Sequence, residues 1–399
     1  MLNKSIYKVG LVSFGNIFNA LMGFAFLAAA ARNLDLKTFG VYALLTTLLV
    51  SVSRIIDFGT NSVFVAKSIS ENEGTIKDTF LSLKIILTAA TFPIFIVALL
   101  LLHELNISIL VVLMAGSVAY AINYTLFPIF QKDEKYFPLI VLNFLPALIK
   151  GIFAGLVLFS IVKLDLLLAV SIFSLSIFAS AFLIFLLPKN YLKLKMSLDG
   201  TVELFKKSYP AGVSQIVAEW WPTISNAIAK TTGGFANVGI FSLASKISHI
   251  FALISLSIFT VLLPKNAVRK KQNLGYDFAE TILIALIIVL AAIISIPVAK
   301  YFILRFLGIK FAASLTVLNI LIISAALTSI HSFIENFFYI EQKTSYILLV
   351  NLGKLSVFLV LAAFLVPVFS LTGLAYSDLA ASITAVALTV ILINKSVRS

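Results

Sequence analysis

Phe39-Gly40-Val41-Tyr42-Ala43-Leu44 and Val238-Gly239-Ile240-Phe241-Ser242-Leu243 read as copies of each other half a chain apart. Each opens an apolar run with a glycine that is followed two residues later by an aromatic. The offset is 199 residues in a chain of 399. Outward from these stretches the sequence divides into twelve long apolar runs, at 9–31, 38–62, 77–101, 108–130, 138–160, 165–187, 206–230, 237–262, 278–303, 311–338, 345–366 and 371–393. Each is about as long as an α-helix must be to cross the hydrocarbon layer. Twelve spans in two related halves of six is a plan suited to transport, because two similar bundles can rock about a shared cavity. The expected fold is therefore an all-α membrane protein of about 12 transmembrane helices in two six-helix lobes around a central cavity. The lobes are expected at residues 1–190 and 206–399, joined by a linker at 191–205.

Composition excludes the other classes. Hydrophobic residues make up 61% and charged residues 12%, whereas soluble domains sit near 45–50% and 25%. An outer-membrane barrel would alternate apolar and polar residues in segments of about ten, and these runs are continuous. The first run is too long for the apolar core of a signal peptide and has no convincing cleavage site, so it reads as an uncleaved helix. With no cysteine there is no disulfide, thiolate nucleophile or cysteine metal site. The three histidines, His103, His249 and His331, are scattered; His331 and Glu335 are four apart but have no second nitrogen ligand nearby, so no metal site is expected. No nucleotide-binding loop appears, and no cofactor is expected.

The net charge of +13 is distributed by topology and does not point to nucleic acid. With the N-terminus inside, eighteen Lys and Arg, Lys189, Lys193 and Lys195 among them, fall on cytoplasmic segments and seven on the opposite loops. That asymmetry follows the positive-inside rule and places both termini in the cytoplasm. The excess also attracts anionic membrane lipid.

Seven ionisable residues fall well inside the runs: Arg54, Asp57, Lys150, Glu219, Lys246, Lys354 and Asp378. At roughly 2.5–3.5 kcal/mol each, seven lipid-facing charges would cost on the order of 20 kcal/mol, more than a typical folding free energy of about 5–15 kcal/mol. They must face one another or a wet interior. Helical spacing agrees. Gln215, Glu219, Pro222 and Asn226 share one stripe, as do Ser242, Lys246 and His249, and Asn143, Pro146 and Lys150. Thr47, Ser51, Arg54 and Asn61 form another with Asp57 on its flank. Asp378, Ser382, Ala385 and Thr389 form a further one, and Tyr120, Tyr124 and Gln131 add to the set. Arg54 and Asp57 could pair, and Glu219 could pair with Lys246. Lys84 and Glu335, nearer the ends of their runs, could snorkel to the interface. Lys150 has no carboxylate near it in sequence. Basic groups outnumber acids four to three, so the expected cavity attracts an anion such as a phosphate, a diphosphate or an acidic sugar, with Lys150, Lys246, Lys354 and Arg54 lining it. A carboxylate desolvated near the membrane centre can exchange a proton, which makes Glu219 the first candidate for ion coupling, ahead of Asp57 and Asp378. Gly151 and Gly155 form a small-xxx-small pair that permits close helix packing. Trp220 and Trp221 sit away from the interfaces, where they can pack between helices or stack on a sugar ring.

With those residues in place, the sequence resembles the Wzx-like polysaccharide flippases of the MOP (multidrug/oligosaccharidyl-lipid/polysaccharide) superfamily. The resemblance is carried by Ala31-Arg32-Asn33-Leu34-Asp35-Leu36-Lys37-Thr38-Phe39-Gly40-Val41-Tyr42, by Asp57-Phe58-Gly59-Thr60-Asn61 and by Ala66-Lys67. It is echoed at Gly239-Ile240-Phe241 and Ala244-Ser245-Lys246; Asp35 stands where the family commonly has glycine. What the resemblance implies is movement of an undecaprenyl-diphosphate-linked oligosaccharide across the bacterial inner membrane by alternating access, driven by an ion gradient or the membrane potential. Arg32 enters as a family-motif residue. The partners implied are the lipid-linked oligosaccharide, membrane lipids, and a polysaccharide polymerase with its chain-length machinery. The competing readings are an ion-coupled drug antiporter, for which the lysines are the wrong sign, a membrane enzyme of polysaccharide assembly, for which no large outer loop or paired-carboxylate constellation is present, and a scaffold or channel.

Topology is directly testable. Reporter fusions after Lys195 are expected to be active only in the cytoplasm; activity on the other side of the membrane overturns the orientation.

Overall fold

The computed structural model describes residues 2–70, 73–103, 106–133, 135–192, 196–198, 200–249, 266, 269, 271–272, 274, 276–341 and 343–398. Every described element is helical. Contacts gather the chain into two compact units, one of Met1–Asp35 with Tyr42–Thr223 and one of Leu36–Val41 with Ile224–Ser399. The helix after the linker is grouped with the first unit, and Leu36–Val41, at the start of the second expected span, with the second.

The first unit holds α1 (Leu2–Asn33), most of α2 (Leu36–Asp57), α3 (Thr60–Ser70), α4 (Glu73–Leu101), α5 (Ile107–Lys132), α6 (Tyr136–Leu158), α7 (Leu166–Leu175), a 3₁₀ segment (Ser176–Leu186), α8 (Lys189–Leu192) and α9 (Thr201–Glu219). Sequence dictates the starts of several helices. Asn106 caps α5 by accepting from the Ser108 and Ile109 amides, and Asp165 caps α7 by accepting from Leu168. α1 lies along α6, and Gly151 makes room there for Met22, whose sulfur would stand 2.3 Å from a Cβ at that position. Gly155, its expected partner, meets nothing within 4 Å, so only one of the two glycines serves packing. An aromatic file runs through this core: Phe26 packs edge-on to Tyr42 at 6.3 Å and Tyr42 edge-on to Phe173 at 6.4 Å.

The second and sixth expected spans are not continuous α-helix. The second breaks at Phe58 and Gly59, which have φ of 38° and 70°, so α2 ends at Asp57 and α3 starts at Thr60. The sixth changes at Ser176 from α to 3₁₀. Three of its four buried residues there, Ile177, Ser180 and Leu183, recur every three positions, which is the period of a 3₁₀ helix. At the far end of α9, exposed Glu203 accepts from Lys207 at 2.7 Å and lies 3.2 Å from Lys67 of α3; these hydrogen bonds hold its carboxyl below the usual range.

The second unit holds most of α10 (Trp221–Ser248), then α11 (Phe278–Phe302), a π segment (Ile303–Leu307), α12 (Ser314–Ile334), α13 (Asn336–Ile340) and α14 (Thr344–Arg398). Asp277 caps α11 through the Glu280 amide at 3.1 Å. α10 contains a break at Gly233 and Gly234, the latter at φ 70°, which separates residues 221–232 from 235–248. α14 contains one at Ser370, φ 53°. Leu388 lies against Gly353 and Gly373 against the Leu365 carbonyl. Residues 353 and 388 would be about 50 Å apart in a straight helix, so α14 is an antiparallel hairpin of two arms, 344–369 and 371–398. They correspond to the last two expected spans.

Among the described residues eight helical stretches are long and apolar enough to cross a membrane. The last, Ser345–Ser396, contains both arms of α14, so nine of the twelve expected runs are represented. Of the other three, 9–31 lies on α1 and 206–230 is divided between α9 and α10. The run 237–262 lies partly outside the described residues. Large apolar side chains of α11, such as Ile293, Ile294 and Val298, are 58–65% exposed, as expected of a surface solvated by lipid.

The two copies of the repeat meet within the second unit. A Cβ on Gly40 would fall 1.7 Å from the Phe235 carbonyl oxygen, and one on Gly239 would fall 2.7 Å from the Leu36 carbonyl oxygen. Gly40→Ala and Gly239→Ala are each expected to destabilise the protein by about 1–3 kcal/mol through overpacking, read as a lowered thermal unfolding midpoint in detergent. Gly155→Ala, with open space and a helix-interior position, is expected to be neutral or stabilising by up to about 1 kcal/mol. Equal effects at Gly40 and Gly155 would show that the crossing is not tight.

Candidate functional site

The polar stripe of α2 is matched by residues of α4, α5, α9 and the start of α10, all in the first unit. Arg54 Nη2 lies 3.1 Å from Glu219 Oε1, and its guanidinium sits 5.5 Å from the centre of the Tyr124 ring, which stacks on Tyr120. The Ser51 hydroxyl approaches the Glu219 carbonyl at 3.0 Å and the Thr223 hydroxyl at 2.7 Å. Glu219 ends α9, and α10 begins at Trp221. The expected seventh span is interrupted there because Pro222 has no amide hydrogen and its ring crowds the preceding turn.

One turn beyond Arg54, the break after α2 is tied by a second polar group. Asp57 accepts from the Asn61 amide at 3.3 Å and from Gln215 Nε2 at 3.4 Å. Gln215 Oε1 accepts the Gly59 amide at 3.1 Å. Lys84 donates to the Ile56 carbonyl at 2.9 Å and lies 3.8 Å from Asp57 Oδ1. The free backbone groups created by the helix break are thus taken up by side chains from α4 and α9, as a break at membrane depth requires.

These pairings correct three expectations. Arg54 and Asp57 do not form the ion pair; Arg54 takes Glu219 and Asp57 takes Lys84. Lys84 does not snorkel: it is 3% exposed, because the carbonyl freed at Ile56 and the Asp57 carboxylate both need a buried donor. Glu335 likewise does not reach outward; its side chain is 14% exposed and lies 3.0 Å from His331.

Half-buried Lys150 differs from the paired cations of the first unit. Its ammonium rests 4.8 Å from the centre of the Phe173 ring, a cation–π contact. No charged side chain among the described residues acts on it. With Arg54–Glu219 and Asp57–Lys84 offsetting each other, it adds a positive charge that no described carboxylate offsets.

In the second unit Lys354 Nζ donates to Thr328 at 3.2 Å, and Asp378 and Glu335 act on it electrostatically. Asp378 Oδ2 accepts from Ser324 at 2.5 Å. Lys246 is half-buried on the second arm of α10. Arg32 stands exposed in the last turn of α1. The structure thus brings Arg54, Asp57 and Glu219 into one group and Lys354 and Asp378 into another; it does not place Arg32 in either. Among the described residues no three His, Asp or Glu side chains converge as a metal site.

Comparison with known proteins fits this architecture. The family described as "Polysaccharide biosynthesis protein" matches residues 6–268, about two thirds of the chain. The chain belongs to this family. Curated protein sequences give no match. Among solved structures, the fold is similar to the lipid II flippase MurJ in an inward closed conformation, with a TM-score of 0.78 at 13% identity, covering 96% of this chain and 87% of that one. It is also similar to an inward-facing multidrug resistance MATE family transporter of the MOP superfamily, with a TM-score of 0.70 at 13% identity, covering 95% and 96%. A MOP superfamily transporter from Pyrococcus furiosus gives a TM-score of 0.58 at 16% identity, covering 96% and 94%. At these identities the likeness establishes the fold, and it agrees with the resemblance read from the motifs of residues 31–67.

The sequence stripes located Arg54, Glu219, Gln215, Tyr120 and Tyr124. They missed Lys84 as the partner of Asp57, because that contact joins helices distant in sequence. They also missed Ser324 and Thr328, although Ser324, Thr328, His331 and Glu335 repeat the spacing of the stripe in the seventh run.

The two ion pairs should behave differently. Breaking the fully buried one with Lys84→Met is expected to destabilise the protein by about 3–5 kcal/mol, and Asp57→Asn in the same chain should recover part of that loss. The half-exposed Arg54–Glu219 pair should show a coupling of about 0.5–1 kcal/mol in an Arg54→Gln/Glu219→Gln cycle. Thermal unfolding of the purified variants measures both; a Lys84→Met protein as stable as the parent removes the role of the buried pair.

Proposed function

We propose that this protein is a flippase that moves an undecaprenyl-diphosphate-linked oligosaccharide, such as an O-antigen or capsule repeat unit, from the cytoplasmic to the outer leaflet of the bacterial inner membrane. Both termini and the 191–205 linker are cytoplasmic in this reading, and a polysaccharide polymerase with its chain-length machinery receives the product. Membership of a polysaccharide biosynthesis family and a fold similar to that of the MurJ lipid II flippase support it. The single observation that carries the substrate class is Lys150, a half-buried cation on which no described carboxylate acts. A compact ammonium of this kind attracts a phosphate as a point charge, and the aromatic wall of Phe173 keeps it from the lipid without neutralising it.

In the proposed cycle Lys150 attracts the diphosphate or an acidic sugar. Arg54, Lys246 and Lys354 are secondary contacts. Arg54 holds its charge against Glu219 until an anion competes for it, which makes the substrate a lever on the α2 junction. The six-helix lobes 1–190 and 206–399 then exchange access from one side of the membrane to the other. Arg32 lies outside this group and serves the turn between α1 and α2.

A second reading, an ion-coupled small-molecule antiporter, is favoured by the coverage of 96% of the multidrug transporter's chain. The two separate in one assay. Lys150→Ala should reduce glycan export at least tenfold while membrane abundance stays normal, with Lys150→Arg recovering part of it. Normal export by the Lys150→Ala/Lys354→Ala protein removes the anion site, and drug efflux by the parent protein supports the antiporter.

A further inference from the structure

The chain from α8 to the end of α9 is fastened to the first unit along its length. Tyr191 of α8 and Leu204 of α9 are both buried and share an apolar cluster with Phe58, Phe64 and Phe80. Between them the linker meets α4 twice. The Ser197 amide donates to the Ser82 hydroxyl at 2.9 Å, and a Cβ on Gly200 would stand 3.6 Å from that of Thr79. Further along, Phe205 stacks on Phe58 with ring centres 4.9 Å apart. A Cβ on Gly212 would stand 2.8 Å from the Phe58 carbonyl oxygen. Gln215 takes the Gly59 amide at 3.1 Å, and the Ser51 hydroxyl reaches the Glu219 carbonyl at 3.0 Å. These ties fall on both sides of Pro210, so a bend at that proline frees neither half of α9. The elements they reach, α2 at and before its break, α3 and α4, are grouped with the first unit.

A linker that lets two bundles move apart leaves its backbone to water and its side chains uncommitted. This one is committed. Lifting it off would expose the cluster around Tyr191 and Leu204 to water. It would also take the side-chain acceptors away from the Ser197 and Gly59 amides. Both amides lie outside the described helices, one toward each end of the fastened stretch.

We propose that residues 191–219 form a strap that stays docked on the first unit throughout the transport cycle, so that the moving joint of the chain lies beyond it, at Trp220–Pro222, and not in the linker.

The joint rests on the alternating-access reading, since it matters only if the halves move. The helix is already interrupted at that place: α9 ends at Glu219, α10 begins at Trp221, and Pro222 has no amide hydrogen to give to the preceding turn. A few residues at the end of an element are enough to absorb a hinge motion. The division at 191–205 then marks where the copies of the repeat join in sequence, and the mechanical division comes one helix later. A consequence concerns the candidate site. The Arg54–Glu219 pair has one partner on α2 and the other on α9, so it lies inside one body. Motion of the halves does not break it; a competitor for Arg54 does.

Two measurements separate a docked strap from a mobile linker. Amide hydrogen exchange of the full-length protein in nanodiscs, read by mass spectrometry, needs neither a substrate nor a variant. The Ser197 and Gly59 amides are expected to exchange at least about a hundredfold more slowly than in a free chain, which limits an undocked form to about 1%. Less protection at either amide overturns the proposal. Ser82→Ala should speed exchange at Ser197 at least about tenfold and leave Gly59 as it was; an unchanged rate at Ser197 shows that docking is not its source and overturns the strap as well. The second measurement uses the absence of cysteine from the chain. Thr79→Cys/Gly200→Cys supplies two thiols whose Cβ separation suits a disulfide. The oxidised protein is expected to export glycan within about twofold of the reduced protein. Export that is lost on oxidation and restored by reduction overturns the strap. If the parent itself exports no glycan, the flippase reading fails alone, and amide exchange still decides whether the strap is docked.

Discussion

The tightest of the glycine contacts among the described residues lies where the two copies of the repeat meet. Gly40 meets the carbonyl of Phe235, and Gly239 meets the carbonyl of Leu36. Residues 36 and 235 are themselves 199 apart, as Gly40 and Gly239 are. The contact is therefore self-complementary: each copy of the repeat presents the same glycine to the same carbonyl of the other. A subunit interface with a two-fold axis works in this way, and here one chain supplies both sides. Any side chain at either glycine would hold two helix backbones apart. The same short stretch, Leu36–Val41, is grouped with the second compact unit, whereas the rest of α2 is grouped with the first.

Around that crossing, charges at membrane depth are paired where they brace a helix and left over where they have other work. Asp57, Lys84 and Gln215 satisfy the backbone released by the break at Phe58 and Gly59. Their burial is tolerable because each carbonyl, amide and carboxylate finds a partner. Arg54 and Glu219 secure the junction of α9 and α10 in a wetter position. Lys150 is offset by a ring face alone.

Much of this was legible in the amino-acid order. Apolar run length gave the spans, and the recurrence of glycine before an aromatic gave the repeat. The motifs around Asp57-Phe58-Gly59 pointed to the family. Helical periodicity found Arg54 and Glu219 because residues on one stripe share a face. Periodicity cannot say which charge on another helix a given stripe will meet, so the partners of Arg54 and Asp57 were out of reach. Nor could it reveal that Asp57-Phe58-Gly59 ends a helix, since the positive φ values of Phe58 and Gly59 leave no mark on the spacing of polar and apolar residues. Ser176–Leu186 was read as part of an ordinary span for a related reason: a uniformly apolar segment carries no phase from which to distinguish a period of three from one of 3.6.

That last segment alters how far the sixth span reaches. A 3₁₀ helix rises about 2.0 Å per residue against 1.5 Å in an α-helix, so residues 166–186 extend over about 37 Å, where a continuous α-helix would give about 31 Å. Residues three apart also line up instead of spiralling, which sets Phe182 and Phe185, both exposed, one above the other along the outer surface. This span is stretched relative to its residue count. Bilayer thickness acts on such a segment directly: a thicker apolar layer favours the extended winding, and a thinner one favours its return to the α form.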